Sequence, residues 1–304
     1  MHRYDFLNKK TELYDLYQLI LTSIFVFYFL STIILFNQLV MSKLFLREEK
    51  RIGRLNGKVA IITGGGSGLG KGAALAMAKE GAMVAITDLT LERLQTTQKL
   101  VEALGGKCLS VACDSGKRDQ VKACIDKTVA TFGTVDILVN NAMSVRKESA
   151  VIDIDDEELD FALRVGLYGV LYMMQEVFPY MKNKQNGRII NIGSSAASTG
   201  LEGRGVYASV KGGVHSLTRV AGREWGPFGI TVNLVSPVAL NERHMEIMEK
   251  NPEYFNNIAA TMPLRRWGRA EEDFGRTLVW LASDDADYIT LNNILVDGGS
   301  GQTR

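Results

Sequence analysis

The chain is poor in the residues that build metal centres and disulfide frameworks, with three cysteines and three histidines in 304 residues. Cys108, Cys113 and Cys124 are an odd number without a C-x-x-C pair, so they read neither as a disulfide scaffold nor as a zinc site, and no metal is expected. They fit small buried hydrophobes in a reducing compartment. Excess charge is also missing. The formal net charge is +1, and no dense basic block lies beside stacked aromatics, which sets nucleic acid aside as a partner. Of His2, His215 and His244, none sits in a G-x-S-x-G setting, which disfavours a serine hydrolase. No internal repeat and no low-complexity linker follow Asn56. The length therefore suits one large α/β domain rather than two.

Glycine and alanine are absent from residues 1–40, which are crowded with Phe, Tyr, Leu and Ile. Within them Leu19 to Phe36 is apolar apart from Thr22, Ser23, Ser31 and Thr32, and as a helix it would span about 27 Å, close to a bilayer core. A cleaved signal peptide fits less well, since no small-x-small site comes after it. Lys43, Arg47, Lys50, Arg51 and Arg54 after the stretch outweigh Arg3, Lys9 and Lys10 before it, placing the C-terminal domain in the cytoplasm. The expected organisation is a tail over 1–18, a transmembrane helix over 19–41, a linker over 42–56 and the folded domain over 57–304. The other reading is that residues 1–40 are an upstream extension without function ahead of Met41.

From Lys58 onward short apolar runs alternate with helical patterns, the mark of a parallel sheet covered on both faces. Strands are predicted at Val59–Thr63, Met83–Asp88, Cys108–Cys113, Ile137–Asn140, Arg188–Ile192, Thr231–Val235 and Ile294–Val296. Helices are predicted at Leu69–Lys79, Leu91–Leu104, Arg118–Thr131, Glu157–Met181, Val206–Trp225 and Glu271–Ala282. Ala239–Met262 has no clean pattern and reads as a mobile cover over a site.

Thr63-Gly64-Gly65-Gly66-Ser67-Gly68-Leu69-Gly70 lies between the first strand and the first helix. Glycines there let the backbone approach a pyrophosphate, whose charge meets the positive helix end. Asp88 ends the second strand, where a carboxylate can accept hydrogen bonds from the adenosine ribose and repel a 2′-phosphate. Neither Ser67 nor Leu89 and Thr90 supplies a cation for such a phosphate, so NAD(H) is expected in preference to NADP(H).

Read with Asn140-Asn141-Ala142, Ser194 and Tyr207-x-x-x-Lys211, these motifs resemble the short-chain dehydrogenase/reductase family, in its oxoacyl-reductase and hydroxysteroid- or sugar-dehydrogenase types, over Leu55 to Gly299. The resemblance implies a single Rossmann-type doubly wound domain with a seven-stranded parallel sheet, here preceded by a hydrophobic helix. It implies a cofactor site of Gly64, Ser67, Gly68, Leu69, Gly70, Asp88, Leu89, Asp114, Asn141, Ala142, Tyr207, Lys211, Pro237 and Leu240. Within it Asp114 would sit by the adenine, Asn141 and Ala142 by its ribose, and Leu240 by the nicotinamide amide. It also implies a homodimer or homotetramer paired through the helices at 157–181 and 206–225.

The chemistry can be derived from the residues themselves. Reducing a carbonyl needs a proton donor at the developing alkoxide, and an unaided tyrosine near pKa 10 ionises too reluctantly. Lys211 lies four residues after Tyr207, on the same helix face. An ammonium about 4 Å away would favour the phenolate by roughly 4 kcal/mol at an effective dielectric of 20. Ser194 would hydrogen-bond the substrate oxygen. The family's catalytic asparagine should fall within Arg164–Gly169, where this chain has Gly166; a water-filled gap and a slower proton relay are expected there. Met143, Val238, Glu242 and Leu291-Asn292 depart from the family pattern as well. The expected function is hydride transfer between NAD(H) and a ketone or secondary alcohol by Ser194, Tyr207 and Lys211. The alternative is a dinucleotide-binding scaffold or sensor with impaired turnover. Met245, Met248, Tyr254, Phe255 and Met262 suit a hydrophobic ketone, steroid or acyl group, and suit ordinary packing equally.

Overall fold

The computed structural model describes residue 19, residues 21–37, 53–240 and 245, and residues 248–301. The chain divides into two units, Met1–Arg51 and Ile52–Arg304. In the first, residues 21–37 form a helix with Phe25, Phe27, Tyr28 and Phe36 exposed. Ser23, Ser31 and Thr32 each donate to the carbonyl four residues back, at 2.8, 2.7 and 2.7 Å. Among the described residues no helix is long and apolar enough to cross a membrane, so the expected span at 19–41 is not supported; residues 20 and 38–41 of it lie outside the described residues. Met41 and the basic cluster from Lys43 to Arg51 lie outside the described residues, as do His2, Glu242 and His244.

The second unit is built on seven strands: β1 (Val59–Thr63), β2 (Met83–Asp88), β3 (Cys108–Ala112), β4 (Ile137–Asn140), β5 (Gly187–Ile192), β6 (Ile230–Pro237) and β7 (Asn293–Val296). Their order is β3-β2-β1-β4-β5-β6-β7, and every pairing is parallel. All residues of β1, β4 and β5 are buried, which is why these strands read as largely apolar runs rather than alternating ones. The order reverses between β1 and β4, and such a switch point opens a crevice at the carboxyl ends of the strands.

Helices α1 (Gly68–Lys79), α2 (Leu91–Ala103), α3 (Arg118–Phe132), α4 (Asp156–Leu163), α5 (Gly169–Lys184), α6 (Gly205–Trp225), α7 (Pro252–Thr261) and α8 (Arg276–Ala282) complete the unit. One core joins the sheet to Ala73, Met77, Phe274 and Leu278. The other joins its opposite face to Ile125, Met173, Met174, Val177 and Val214. A smaller apolar cluster of Ala162, Val206 and Val210, with Met143, Leu163 and Leu167 against it, ties α4 to α6.

Three elements differ from expectation. The helix predicted as Glu157–Met181 is interrupted by a π turn at Arg164–Tyr168. A second π turn, Ala270–Gly275, opens the helix predicted as Glu271–Ala282. Here α1 and the turn pack so closely that a Cβ on Gly72 would lie 2.5 Å from Ala270 O, and one on Gly275 would lie 2.8 Å from Gly72 O. Within the predicted cover, residues Pro252–Thr261 form α7, capped by Asn251 Oδ1 accepting from Tyr254 N at 3.2 Å. Phe255 and Met262 are buried, Phe255 lying 5.4 Å from the Trp267 ring, so these two are packing residues. Tyr254 and Met245 are exposed.

Candidate active site

The glycine turn lies at the switch point and is braced from β4. Gly64 and Gly68 adopt left-handed φ of 65° and 52°, a conformation glycine enters without steric cost. Thr63 Oγ1 accepts from Asn141 N and Ala142 N, both at 2.9 Å. The Asn141 amide donates to Thr63 O at 2.9 Å and Gly64 O at 3.2 Å. A Cβ on Gly70 would overlap Gly64 O and lie 2.8 Å from Asn141 Nδ2. Ser67 precedes α1, whose first turn carries no acidic residue, so the positive helix end faces the turn uncancelled. Expected beside a ribose, Asn141 and Ala142 here join β4 to the turn. Thr63, whose hydroxyl makes that joint, carries no signal in the sequence beyond its place at the end of a strand.

Asp88 stands at the end of β2, and its Oδ1 accepts from Leu89 N at 2.9 Å and from Arg93 Nη1 at 3.2 Å. Thr90, not Asp88, precedes α2 as its cap residue. Arg93 places a guanidinium in the first turn of α2, so the region does hold the cation that Ser67, Leu89 and Thr90 lack. Leu89 is exposed. Asp114 Oδ1 accepts from Gly116 N at 3.0 Å, and Lys117 lies 3.7 Å from Oδ2; this carboxylate shapes the turn after β3.

The structure brings Ser194, Tyr207 and Lys211 together. Ser194 follows β5, where its Oγ accepts from Ala196 N at 3.2 Å. Tyr207 is half-buried in the first turns of α6. Burial raises its phenol above the ordinary value, partly offset by a hydrogen bond with Ser194 and by the charge of Arg204. Lys211, fully buried, is brought down to about 8 by desolvation, which disfavours the charged form. Its Nζ donates to Ile192 O at 2.6 Å and lies 5.8 Å from the centre of the Tyr207 ring. Burial thus outweighs the lowering toward neutrality expected of the phenol. The Ile192 carbonyl holds the ammonium, and the phenol stays a proton donor. One turn on, His215 Nε2 is buried without a hydrogen-bond partner among the described residues.

The gap expected at Gly166 is filled. A Cβ on Gly166 would overlap Met143 Sδ and lie 2.5 Å from Val210 Cγ1. Beyond β6, Pro237 leads into Val238, whose N donates to Val296 O at 2.9 Å, and Leu240 N donates to Gly268 O at 3.0 Å. Leu291 takes a left-handed φ of 65°, and a Cβ on Gly222 would lie 2.8 Å from its Cδ2.

A doubly wound parallel sheet with a braced glycine turn and a phenol–ammonium pair beside it is the architecture of a Rossmann-type oxidoreductase domain. The family model described as enoyl-(acyl carrier protein) reductase matches residues 64–301. A 12α-hydroxysteroid dehydrogenase of Clostridium sp. is 36% identical over 258 residues, covering 83% of this chain and 99% of that protein. A 3-oxoacyl-(acyl-carrier-protein) reductase of Thermotoga maritima is 36% identical over 247 residues, covering 81% and 98%. The solved structure of a short-chain dehydrogenase/reductase from Serratia marcescens matches with a TM-score of 0.74 at 32% identity, covering 82% of this chain and 100% of that one. The chain belongs to the short-chain dehydrogenase/reductase family, oxidoreductases that bind a nicotinamide dinucleotide.

Proposed function

We propose that this protein transfers hydride between NAD(H) and a ketone or secondary alcohol, with Tyr207 as the proton donor. The observation that carries this reading is the convergence of Ser194 and Lys211 on Tyr207: Ser194 acts to lower the phenol against its burial, and Lys211 Nζ, tied to Ile192 O, lies 5.8 Å from the ring centre. The dinucleotide supplies or accepts the hydride. Its pyrophosphate fits the turn of Gly64, Ser67, Gly68, Leu69 and Gly70, where backbone alone lines the approach. Asp88 and Leu89 would face the adenosine ribose, Asp114, Asn141 and Ala142 the adenosine side, and Pro237 and Leu240 the nicotinamide.

In the reducing direction Ser194 hydrogen-bonds the carbonyl oxygen, and Tyr207 gives its phenolic proton to that oxygen as negative charge develops on it. The buried Lys211 ammonium stabilises the phenolate left behind. The phenol is protonated at neutral pH, as a donor in this direction must be, and because burial makes it a more reluctant acid the transfer depends on the Lys211 charge.

The same reading makes the protein a homodimer or homotetramer paired through the helical stretches at 157–181 and 206–225, where Tyr168 and Val220 are exposed. It places the domain in the cytoplasm, consistent with three free thiols. A panel of 12-oxosteroids, 3-oxoacyl thioesters and simple ketones, assayed by NADH and NADPH consumption, tests the proposal. Turnover with NADH on at least one class supports it. Tight NADH binding with no turnover on any of them would leave the impaired scaffold as the better reading.

A further inference from the structure

Met143 leaves β4 two residues after Asn141, and the loop that carries it is fixed on both sides. Before it, Asn141 N and Ala142 N donate to Thr63 Oγ1 at 2.9 Å. After it, Arg146 N donates to Glu158 Oε1 at 2.8 Å, and Glu158 is buried on α4. Between these ties the Met143 thioether lies against Gly166 in the π turn, at a position where a Cβ would overlap Sδ. The same Cβ would lie 2.5 Å from Val210 Cγ1. Val210 is fully buried and immediately precedes Lys211 on α6. Sulfur, bare glycine and valine therefore fill one space. Any group added at Gly166 must displace the Met143 thioether, the Val210 side chain or the elements that carry them.

We propose that Met143 and Gly166 interlock as a positioning pair that sets α6, and with it the Tyr207–Lys211 face, against the glycine turn. The inference rests on the catalytic reading of Tyr207. A thioether suits this task because it is unbranched and fits irregular gaps, while a close-packed interior transmits a displacement instead of absorbing it.

A double-mutant cycle tests the pair in the full chain, read by thermal midpoint and by kcat and KM on whichever 3-oxoacyl thioester or 12-oxosteroid the wild-type protein reduces. Gly166→Ala should lower kcat by roughly tenfold or more while KM for NADH stays within about threefold, since the added methyl disturbs the proton-donating face and not the turn. Removing the sulfur in Met143→Ala/Gly166→Ala should recover part of the lost kcat and thermal midpoint, the non-additivity expected of residues that share one space; the rest stays lost because the added methyl still meets Val210. Met143→Leu, close in volume, should stay near wild type. If the losses in Gly166→Ala and Met143→Ala, each measured singly, simply multiply in the double variant, with no recovery of rate or midpoint, the interlock is overturned. If Tyr207→Phe, assayed alongside, keeps the full rate, the catalytic reading has failed instead; the thermal-midpoint cycle then still decides whether Met143 and Gly166 interlock.

Discussion

Around the glycine turn, position is held by neutral groups: Thr63 Oγ1, the Asn141 amide and the backbone of Gly64 bond one another. Around Tyr207, position and charge are inseparable. Lys211 is an ammonium fully enclosed in the fold and tied to one carbonyl, and the phenol above it is shifted by burial. The first region binds by shape and by backbone dipoles, so steric change should damage it. The second works by proton affinity, so removing or titrating a group should damage it.

The largest contrast is expected from Tyr207→Phe, which deletes one oxygen and keeps the fold. It should lower kcat by about a thousandfold, within the range for losing a general acid, and leave the NADH dissociation constant nearly unchanged. Gly70→Ala should do the reverse. Its methyl meets Gly64 O and Asn141 Nδ2, an overpacking of about 1–3 kcal/mol, so NADH affinity should fall by roughly tenfold to a hundredfold while kcat at saturation falls less. An equal effect of both variants on binding would erase the distinction between the two regions.

Titration gives a smaller, graded effect. With Lys211 brought to about 8 from 10.5, its ammonium is present at neutral pH and lost above it. The reduction rate should therefore hold below neutrality and fall by about tenfold per unit above pH 8, with the slope absent in Lys211→Met. For stability the sign is opposite. The unfolded chain holds the proton up to 10.5 and the folded chain only to about 8, so Lys211 destabilises the fold below pH 8, and this penalty is relieved as pH rises through that window. A thermal midpoint difference between wild type and Lys211→Met that did not change across it would contradict the burial of the ammonium.

The smallest effect sharpens the picture of the turn. Arg93, exposed itself, is paired with the more buried Asp88 carboxylate, and exposed partners contribute little. Arg93→Ala should widen the preference for NADH over NADPH by about threefold, because it bares the charge of Asp88 and removes a cation near the ribose. A narrowed preference would mean that Arg93 does not face the 2′ position.

The central strands β1, β4 and β5 were legible because they are buried along their whole length, and the turn because its glycines stand at a fixed place between strand and helix. Helix α7 carried a readable start, Asn251 followed by Pro252, a cap residue and a first-turn proline. It was obscured by the weak pattern around it. The π turn at Arg164–Tyr168 left no decisive mark: Gly166 within it is a poor helix former, but a lone glycine is also tolerated inside an ordinary helix. Three relations depend on folding and have no signature in spacing: Arg93 meeting Asp88, Met143 meeting Gly166, and Lys211 turning to the Ile192 carbonyl. The family asparagine pointed to Gly166 as a gap, but only the tertiary contact shows what occupies it.

That π turn also makes residue count a structural variable. One extra residue advances a helix by about 100°, so α4 and α5 are aimed independently although no loop separates them. Deleting a residue such as Leu167 would leave a smoother helix of ordinary composition, yet it would rotate α4 about its axis and carry Glu158 away from Arg146 N and Ala162 away from Val210. A chain one residue shorter at this point could keep every other side chain and still present a differently turned wall to the site.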